Sequence, residues 1–397
     1  MNPMRWNVRR LLSIALTLAS VMLIDASAPT GSPVELNAVI PLTGGAAFLG
    51  TQEKIALQVF ERTVNGQGGI AGRPVKFNFL DDQSVPQTTL QLANGLVAKG
   101  VPVIFGSSVT ATCNAIVPLL EKTGPVNYCF SPGVTGAPRS FVFSSSVGTR
   151  DIALALTRFF HDNGWTRFAA LTSTDATGLE FDRWLDLALR APGNKEMTLL
   201  AREHFNPTDI TVTAQLSRIK ATNPQAILTF TTGTPLGTVL RGYTESGMDI
   251  PITASAGNMI YAQMAQYKDV LPKKLYFAAT RGVAPDALLR PGPIKDAQNI
   301  FFKAFKDAGI RSDFGATLVW DPAMIVVDGL RAVGPEASGE KLRDWMINQH
   351  SWAGIDGIYD FADGSQRGIG LNAMIIYHWN AATTTFDVSS RSGGALK

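Results

Sequence analysis

Short apolar runs alternate with longer stretches of helical periodicity along most of this 397-residue chain. The first run, Val34 to Pro41, alternates as a strand does, and Ala47 to Val64 carries Ile55, Ala56, Val59 and Phe60 at helical spacing. Asn65-Gly66-Gln67-Gly68-Gly69 stops that helix. Val75 to Leu80 alternates again up to Asp81-Asp82, and Pro86 to Lys99 returns to a helical pattern. Next come the run Val103 to Phe105, a helix through Ile116, Leu119 and Leu120, the stop Gly124-Pro125, and the run Val126 to Phe130. Phe141 to Phe143 is one more short strand.

A second series begins near Thr149. Helices are expected over 151–163, 179–189, 209–221, 235–246 and 259–267, and strands over 167–171, 197–205, 226–230, 252–254 and 275–278. Two successive blocks of strand–helix alternation predict an α/β fold of two doubly wound, Rossmann-like lobes. Past a passage rich in Pro and Gly (Pro285, Pro291, Gly292, Pro293) the pattern is helical over 294–308, 316–333 and 340–348. The tail segments 357–361 and 371–379 read as a strand pair. The chain shows no internal repeat and no low-complexity tract.

Two adjacent apolar runs end alike, in Gly106-Ser107-Ser108-Val109-Thr110 and in Ser131-Pro132-Gly133-Val134-Thr135. In an open parallel sheet, ligands sit at the carboxyl ends of the strands. Hydroxyls there, with free N–H groups at a following helix start, make an anion-ready surface without a charged side chain. Such residues also serve as helix caps and turn formers. Two neighbouring loops of this composition favour a ligand site.

The start of the chain has the three-part pattern of a secretory signal peptide. Arg5, Arg9 and Arg10 precede the apolar run Leu11 to Ile24, and Ala26-Ser27-Ala28 supplies small residues for cleavage. The run is shorter than the roughly 20 residues a membrane-spanning helix needs. Removing residues 1–28 takes away three arginines and Asp25, which changes the net charge from +3 to +1. With 45% hydrophobic and 17% charged residues and no basic block, the chain is globular, and neither nucleic acid nor an acidic membrane surface is implied. The expected location is periplasmic, with no membrane insertion of the mature chain. The two cysteines, Cys113 and Cys129, are too few for a disulfide scaffold. Two buried free thiols are expected over a bridge, with geometry to decide.

Enzyme motifs are absent from the sequence. There is no Gly-Lys pair for a P-loop, no dinucleotide fingerprint among Gly44, Gly45 and Gly50, no Gly-x-Ser-x-Gly, no His-Glu-x-x-His and no Cys-x-x-Cys. His161, His204, His350 and His378 have no partner at zinc-ligand spacing. Asp81-Asp82 point to opposite sides of a strand and are expected to cap a turn. No metal, cofactor or catalytic residue is expected.

Several segments together resemble one family, the substrate-binding proteins of branched-chain amino-acid-type transporters (type I periplasmic binding proteins). These are Ile40-Pro41-Leu42-Thr43-Gly44 with Phe48-Leu49-Gly50, Asn65-Gly66-Gln67-Gly68-Gly69-Ile70, and Gly72-Arg73-Pro74-Val75. Asp81-Asp82-Gln83, Phe105-Gly106-Ser107-Ser108 and Ser131-Pro132-Gly133 belong with them. Their order holds over roughly residues 34 to 380 and is specific to the family, though not to a ligand.

The resemblance implies a two-lobe clamp with three hinge crossings, near Ser145, Ala278 and Gly357. Lobe 1 would comprise 34–145 plus 279–356, and lobe 2 146–278 plus 357–385. Thr110 resembles the family's hydroxyl that holds the ligand carboxylate. Gly133 and Thr135 match the groups beside it, with Ser131 close by, and Phe48 takes the place of a covering aromatic. From the second lobe Thr177 and Gly233-Thr234 fall where amino-acid binders place aromatic side chains, and Asn258 joins them. Such binders hold the ligand ammonium with an acidic residue after the strand near Ile252, yet Thr253-Ala254-Ser255-Ala256-Gly257-Asn258 has none. A buried ammonium without an anion is costly, so a carboxylate lacking the amine is favoured. The expected role is therefore a monomeric receptor that hands a small-molecule carboxylate to an ABC transporter membrane permease. A sensor domain with this fold, or an exported enzyme, is the alternative.

Overall fold

The computed structural model describes residues 29–286, 289–362 and 364–397; the expected signal peptide lies outside them. Two sheets organise two lobes, the first all parallel and the second parallel with an antiparallel edge. The first is built from β1 (Val34–Ile40), α1 (Ala47–Gly66), β2 (Val75–Asp81), α2 (Pro86–Ala98), β3 (Val103–Gly106), α3 (Thr110–Leu120), β4 (Val126–Cys129) and β5 (Val142–Ser144). Its strands lie in the order β2-β1-β3-β4-β5, all parallel. Both faces of such a sheet are covered by helices, which leaves β3, β4 and β5 buried at every position, whereas the edge strand β2 is only partly covered.

The second lobe continues with α4 (Thr149–Asp162), β6 (Arg167–Ser173), α5 (Ala176–Leu189), β7 (Thr198–Phe205), α6 (Thr213–Ala221) and β8 (Ala226–Phe230). It ends with α7 (Pro235–Glu245), β9 (Ile252–Ser255), α8 (Tyr261–Gln266) and β10 (Leu275–Thr280). The chain then forms α9 (Pro293–Asp307), α10 (Phe314–Val333), α11 (Gly339–Met346), β11 (Trp352–Ala353), β12 (Ile358–Tyr359), β13 (Met374–Asn380) and β14 (Thr385–Val388). The second sheet has the order β14-β13-β10-β9-β8-β6-β7.

The late helices return to the first lobe. Trp320 of α10 meets Phe60 of α1 edge-on at 5.3 Å between ring centroids, and Phe301 of α9 at 5.0 Å. These buried rings contribute apolar burial between the three helices.

The tail departs from the strand pair expected from its pattern. β12 pairs with β11, whereas β13 pairs antiparallel with β10 and with β14. Two forces separate the segments. Asp321 of α10 accepts from Ile355 N at 2.9 Å, Asp356 N at 3.1 Å and Tyr359 Oη at 3.0 Å, which fixes the short hairpin on the first lobe. Met374, Ile375, Ile376 and Tyr377 are all buried and suit the otherwise open edge of β10. Helix α6 begins at Thr213 rather than at residue 209, because Asn206, Thr208 and Asp209 bond one another in a polar turn. α8 is likewise shorter than the periodic stretch 259–267.

Cys113 and Cys129 are joined by a disulfide, not free as expected. The first turn of α3 brings their Cα atoms to 6.1 Å, inside the range a bridge can span.

Near the crossing between the lobes, Gln366 and Arg367 lie beside β5. Gln366 O accepts from Ser144 N at 2.9 Å, and its Nε2 donates to Ser140 O at 2.7 Å. Arg367 donates to the carbonyls of Ser145 (2.7 Å), Ser146 (3.0 Å), Pro132 (3.2 Å) and Val134. Burial lowers its proton affinity to a pKa of about 10, so it stays charged at neutral pH.

Candidate functional site

In a doubly wound lobe each helix starts at the carboxyl edge of its sheet, so the edges of two facing lobes present helix first turns to one another. Five such turns meet here. Leu49 comes from the first turn of α1, Thr110 from α3, Thr149 and Ile152 from α4, Thr177 from α5, and Phe314 and Leu318 from α10. They enclose a cavity of about 30 Å³ that is completed by Ser108, Phe130, Ser131, Gly133, Phe230, Thr232, Ser255 and Gly257. None of its lining residues, among those described, carries a charged side chain.

The hydroxyls converge. Thr110 Oγ1 and Ser131 Oγ are 3.1 Å apart, Gly133 N donates to Ser131 Oγ at 3.3 Å, and Thr177 Oγ1 reaches Thr110 Oγ1 across the cleft at 3.5 Å. Gly133 is required by this proximity, since a Cβ there would lie 2.5 Å from Thr110 Oγ1. On the second lobe Thr232 Oγ1 and Ser255 Oγ are 3.2 Å apart. The α3 and α4 N-termini have no side-chain cap, so their first N–H groups add partial positive charge to the same wall. Phe130 and Phe230 supply aromatic surface, and Phe230 stacks on Phe181 at 4.1 Å.

The lobes are closed on one another. Thr234 N donates to Gly45 O at 3.0 Å, Phe314 N to Met259 O at 3.3 Å, and Tyr261 N to Asp313 Oδ2 at 3.4 Å. A space of about 30 Å³ holds little more than a water molecule. Nothing larger fits while the lobes lie as they do here.

Thr110, Ser131, Gly133 and Thr177 are thus brought together at the cavity. Four other candidates lie elsewhere. Asn258 is fully buried but spent within its own lobe: its Oδ1 accepts from Gly233 N at 2.8 Å, and its Nδ2 donates to Thr231 O at 2.7 Å and Ser255 Oγ at 3.0 Å. Thr234 serves the lobe contact with Gly45 instead of the cavity wall. Thr135 is exposed, because the chain turns outward after Val134. Phe48 packs half-buried against the core, and its neighbour Leu49 faces the cavity. Asp81 and Asp82 cap turns as expected: Asp81 Oδ1 accepts from Leu42 N at 2.9 Å and Gln83 N at 2.9 Å, and Asp82 Oδ1 from Ser84 N at 2.8 Å.

Sequence reading placed Ser108 on a candidate loop without giving it a role, and passed over Phe130, Thr149, Phe230, Thr232 and Ser255 as site residues. Most of them end a strand or begin a helix, which is the signal that places them at the carboxyl edge. Phe314 also begins a helix, but α10 follows another helix, α9, and not a strand, so no sheet edge points to it or to Leu318.

The profile of the periplasmic binding protein family matches residues 33–384, and the chain belongs to that family. The motif resemblance to the periplasmic binding proteins is thereby borne out. Among curated proteins, Leu/Ile/Val-binding protein homolog 3 of Brucella melitensis is 26% identical over 125 residues, which cover 32% of this chain and 33% of that one. The match therefore spans about a third of that relative's length. Among solved structures, an extracellular ligand-binding receptor from Rhodopseudomonas palustris superposes with a TM-score of 0.78 at 18% identity, covering 90% of this chain and 100% of the other. An ABC transporter solute-binding protein from R. palustris in complex with benzoate gives 0.75 at 17% identity, covering 91% and 97%. These two likenesses establish the fold.

Proposed function

We propose that this chain is a periplasmic solute receptor that delivers a small carboxylate with an apolar body to an ABC transporter permease, without chemically altering it. The observation that carries the reading is the cavity wall of hydroxyls and helix first turns, with no charged side chain among its described lining. The carboxylate accepts from Thr110, Ser131, Thr177 and the α3 N–H groups. Its body lies against Phe130, Phe230 and Leu49 once the lobes have parted and closed again. Each hydrogen bond to a charged group contributes about 1.5–3 kcal/mol, so a few of them support micromolar binding after the costs of association. Because the ligand touches both lobes, it favours the closed form, which the permease then reads.

A benzoate-bound structure with this fold supports the acid reading. The names of the curated relatives support a branched-chain amino acid as the second reading. The wall described above offers no carboxylate to an ammonium, and that weighs for the acid. Calorimetry with benzoate, isovalerate and leucine separates the two readings. Thr110→Ala is expected to weaken binding of the preferred acid at least about tenfold, or 1.4 kcal/mol. Unchanged affinity in that variant would remove Thr110 as the anchor, and leucine binding above both acids would overturn the acid reading.

A further inference from the structure

Ser108 is the lining hydroxyl whose partner is a carboxyl. It lies on the loop between β3 and α3, and its Oγ is 2.6 Å from Oε2 of Glu53. Glu53 projects from the inner face of α1 and is fully buried, and its Oε1 has no hydrogen-bond partner among the described residues. An ionised carboxylate so placed would keep one charged oxygen unsolvated and unpaired, which is costly.

The groups that bear on Glu53 are Ser108, Asp82 from the turn after β2, and Asp313 ahead of α10. Asp82 accepts from Ser107 Oγ and Ser84 N, and Asp313 from Gly315 N and Tyr261 N. Both neighbours are acids, and any charge on them disfavours a second charge on Glu53. Burial is the largest influence and pushes Glu53 up to about 8.

The direction of the Ser108 hydrogen bond follows from the proton on its partner. Facing an ionised Glu53, Ser108 donates its only proton to the carboxylate and turns lone pairs alone toward the cavity, which repel an anion. Facing a protonated Glu53, Ser108 accepts from the carboxyl O–H, and its own O–H becomes free to donate into the cavity.

We propose that Glu53 is a positioning residue for the anion site: while it carries a proton it turns Ser108 into a cavity-facing donor, so the receptor takes an anion only with Glu53 neutral. This rests on the carboxylate reading of the cavity. It also accounts for an anion site built directly over an acid.

The test is benzoate calorimetry as a function of pH. Affinity is expected to stay level from about pH 6 to 8 and then fall close to tenfold per unit, with one proton taken up per benzoate bound in the alkaline range. Uptake is read from the dependence of the heat on the buffer's ionisation enthalpy. In Glu53→Gln the amide donates to Ser108 at every pH, and the alkaline slope disappears. Ser108→Ala weakens binding at neutral pH and also loses the slope. Benzoate affinity that is level up to about pH 9.5 in the native chain, or a slope that survives in Glu53→Gln, overturns the proposal. Failure to bind either benzoate or isovalerate at any pH instead sinks the carboxylate reading. Glu53 is then judged in the ligand-free protein by the infrared difference between the native chain and Glu53→Gln at neutral pH. A protonated-carboxyl band supports a neutral Glu53, and a carboxylate band overturns it.

Discussion

Buried acids set how single residues of this protein respond to pH. Burial raises Glu53 from 4.5 to about 8 and Asp313 from 3.8 to about 7. The folded chain therefore holds protons that the unfolded chain has released. Stability is largest below the unfolded values and is lost as pH rises through each window, from 4.5 to about 8 for Glu53 and from 3.8 to about 7 for Asp313. The melting temperature is expected to be higher at about pH 5 than at about pH 8.5, and Glu53→Gln should reduce the difference; calorimetric scans across that range check it. At the same scale the sequence was legible where a side chain's role is local. Thr110, Ser131 and Gly133 sit on strand-end loops, and a loop's place at the sheet edge follows from the strand–helix pattern. Asn258 and Thr135 were misread because their roles depend on which neighbour claims an amide and which way a loop turns. Neither is written in spacing.

At the scale of elements, α3 and β4 are held by the Cys113–Cys129 bridge, which closes a loop with a sequence separation of 16. Loop-closure entropy for such a length corresponds to about 3 kcal/mol. Replacing both cysteines with alanine is expected to lower unfolding stability by roughly that amount, read from a lower urea midpoint together with a somewhat steeper slope, since the unfolded chain is freed. α3 carries Thr110 at its first turn, so the bridge also holds the anchor against the strand that ends beside Ser131. The strands and helices of both sheets were readable from periodicity, because each must bury one face or both. The tail was not. Residues 357–361 and 371–379 have the composition of paired strands, but Asp321 takes the first and the bare edge of β10 takes the second. Both partners lie far away in sequence, where no periodic pattern points. Phe314 and Leu318 escaped notice for the same reason.

For the molecule as a whole, function depends on how closely two lobes can approach. Gly233 has φ of +86°, and a Cβ there would lie 2.1 Å from Gly45 O of the opposite lobe, the same oxygen that accepts from Thr234 N. Gly233→Ala relieves that overlap only if the second lobe backs away. The variant is expected to show a larger radius of gyration in solution scattering when saturated with benzoate, together with an affinity at least about tenfold weaker. An unaltered radius and affinity would mean that the contact does not limit closure.

Arg367 carries a consequence of another kind. Four carbonyls from residues 132 to 146 converge on a guanidinium that the ribosome adds more than two hundred residues later. α10, which packs on α1, is also translated late. The first lobe consequently cannot settle into its finished shape before α10 and Arg367 have been made. A fragment cut anywhere before residue 367 leaves those carbonyls without their cation, and neither lobe can be excised as one uninterrupted piece.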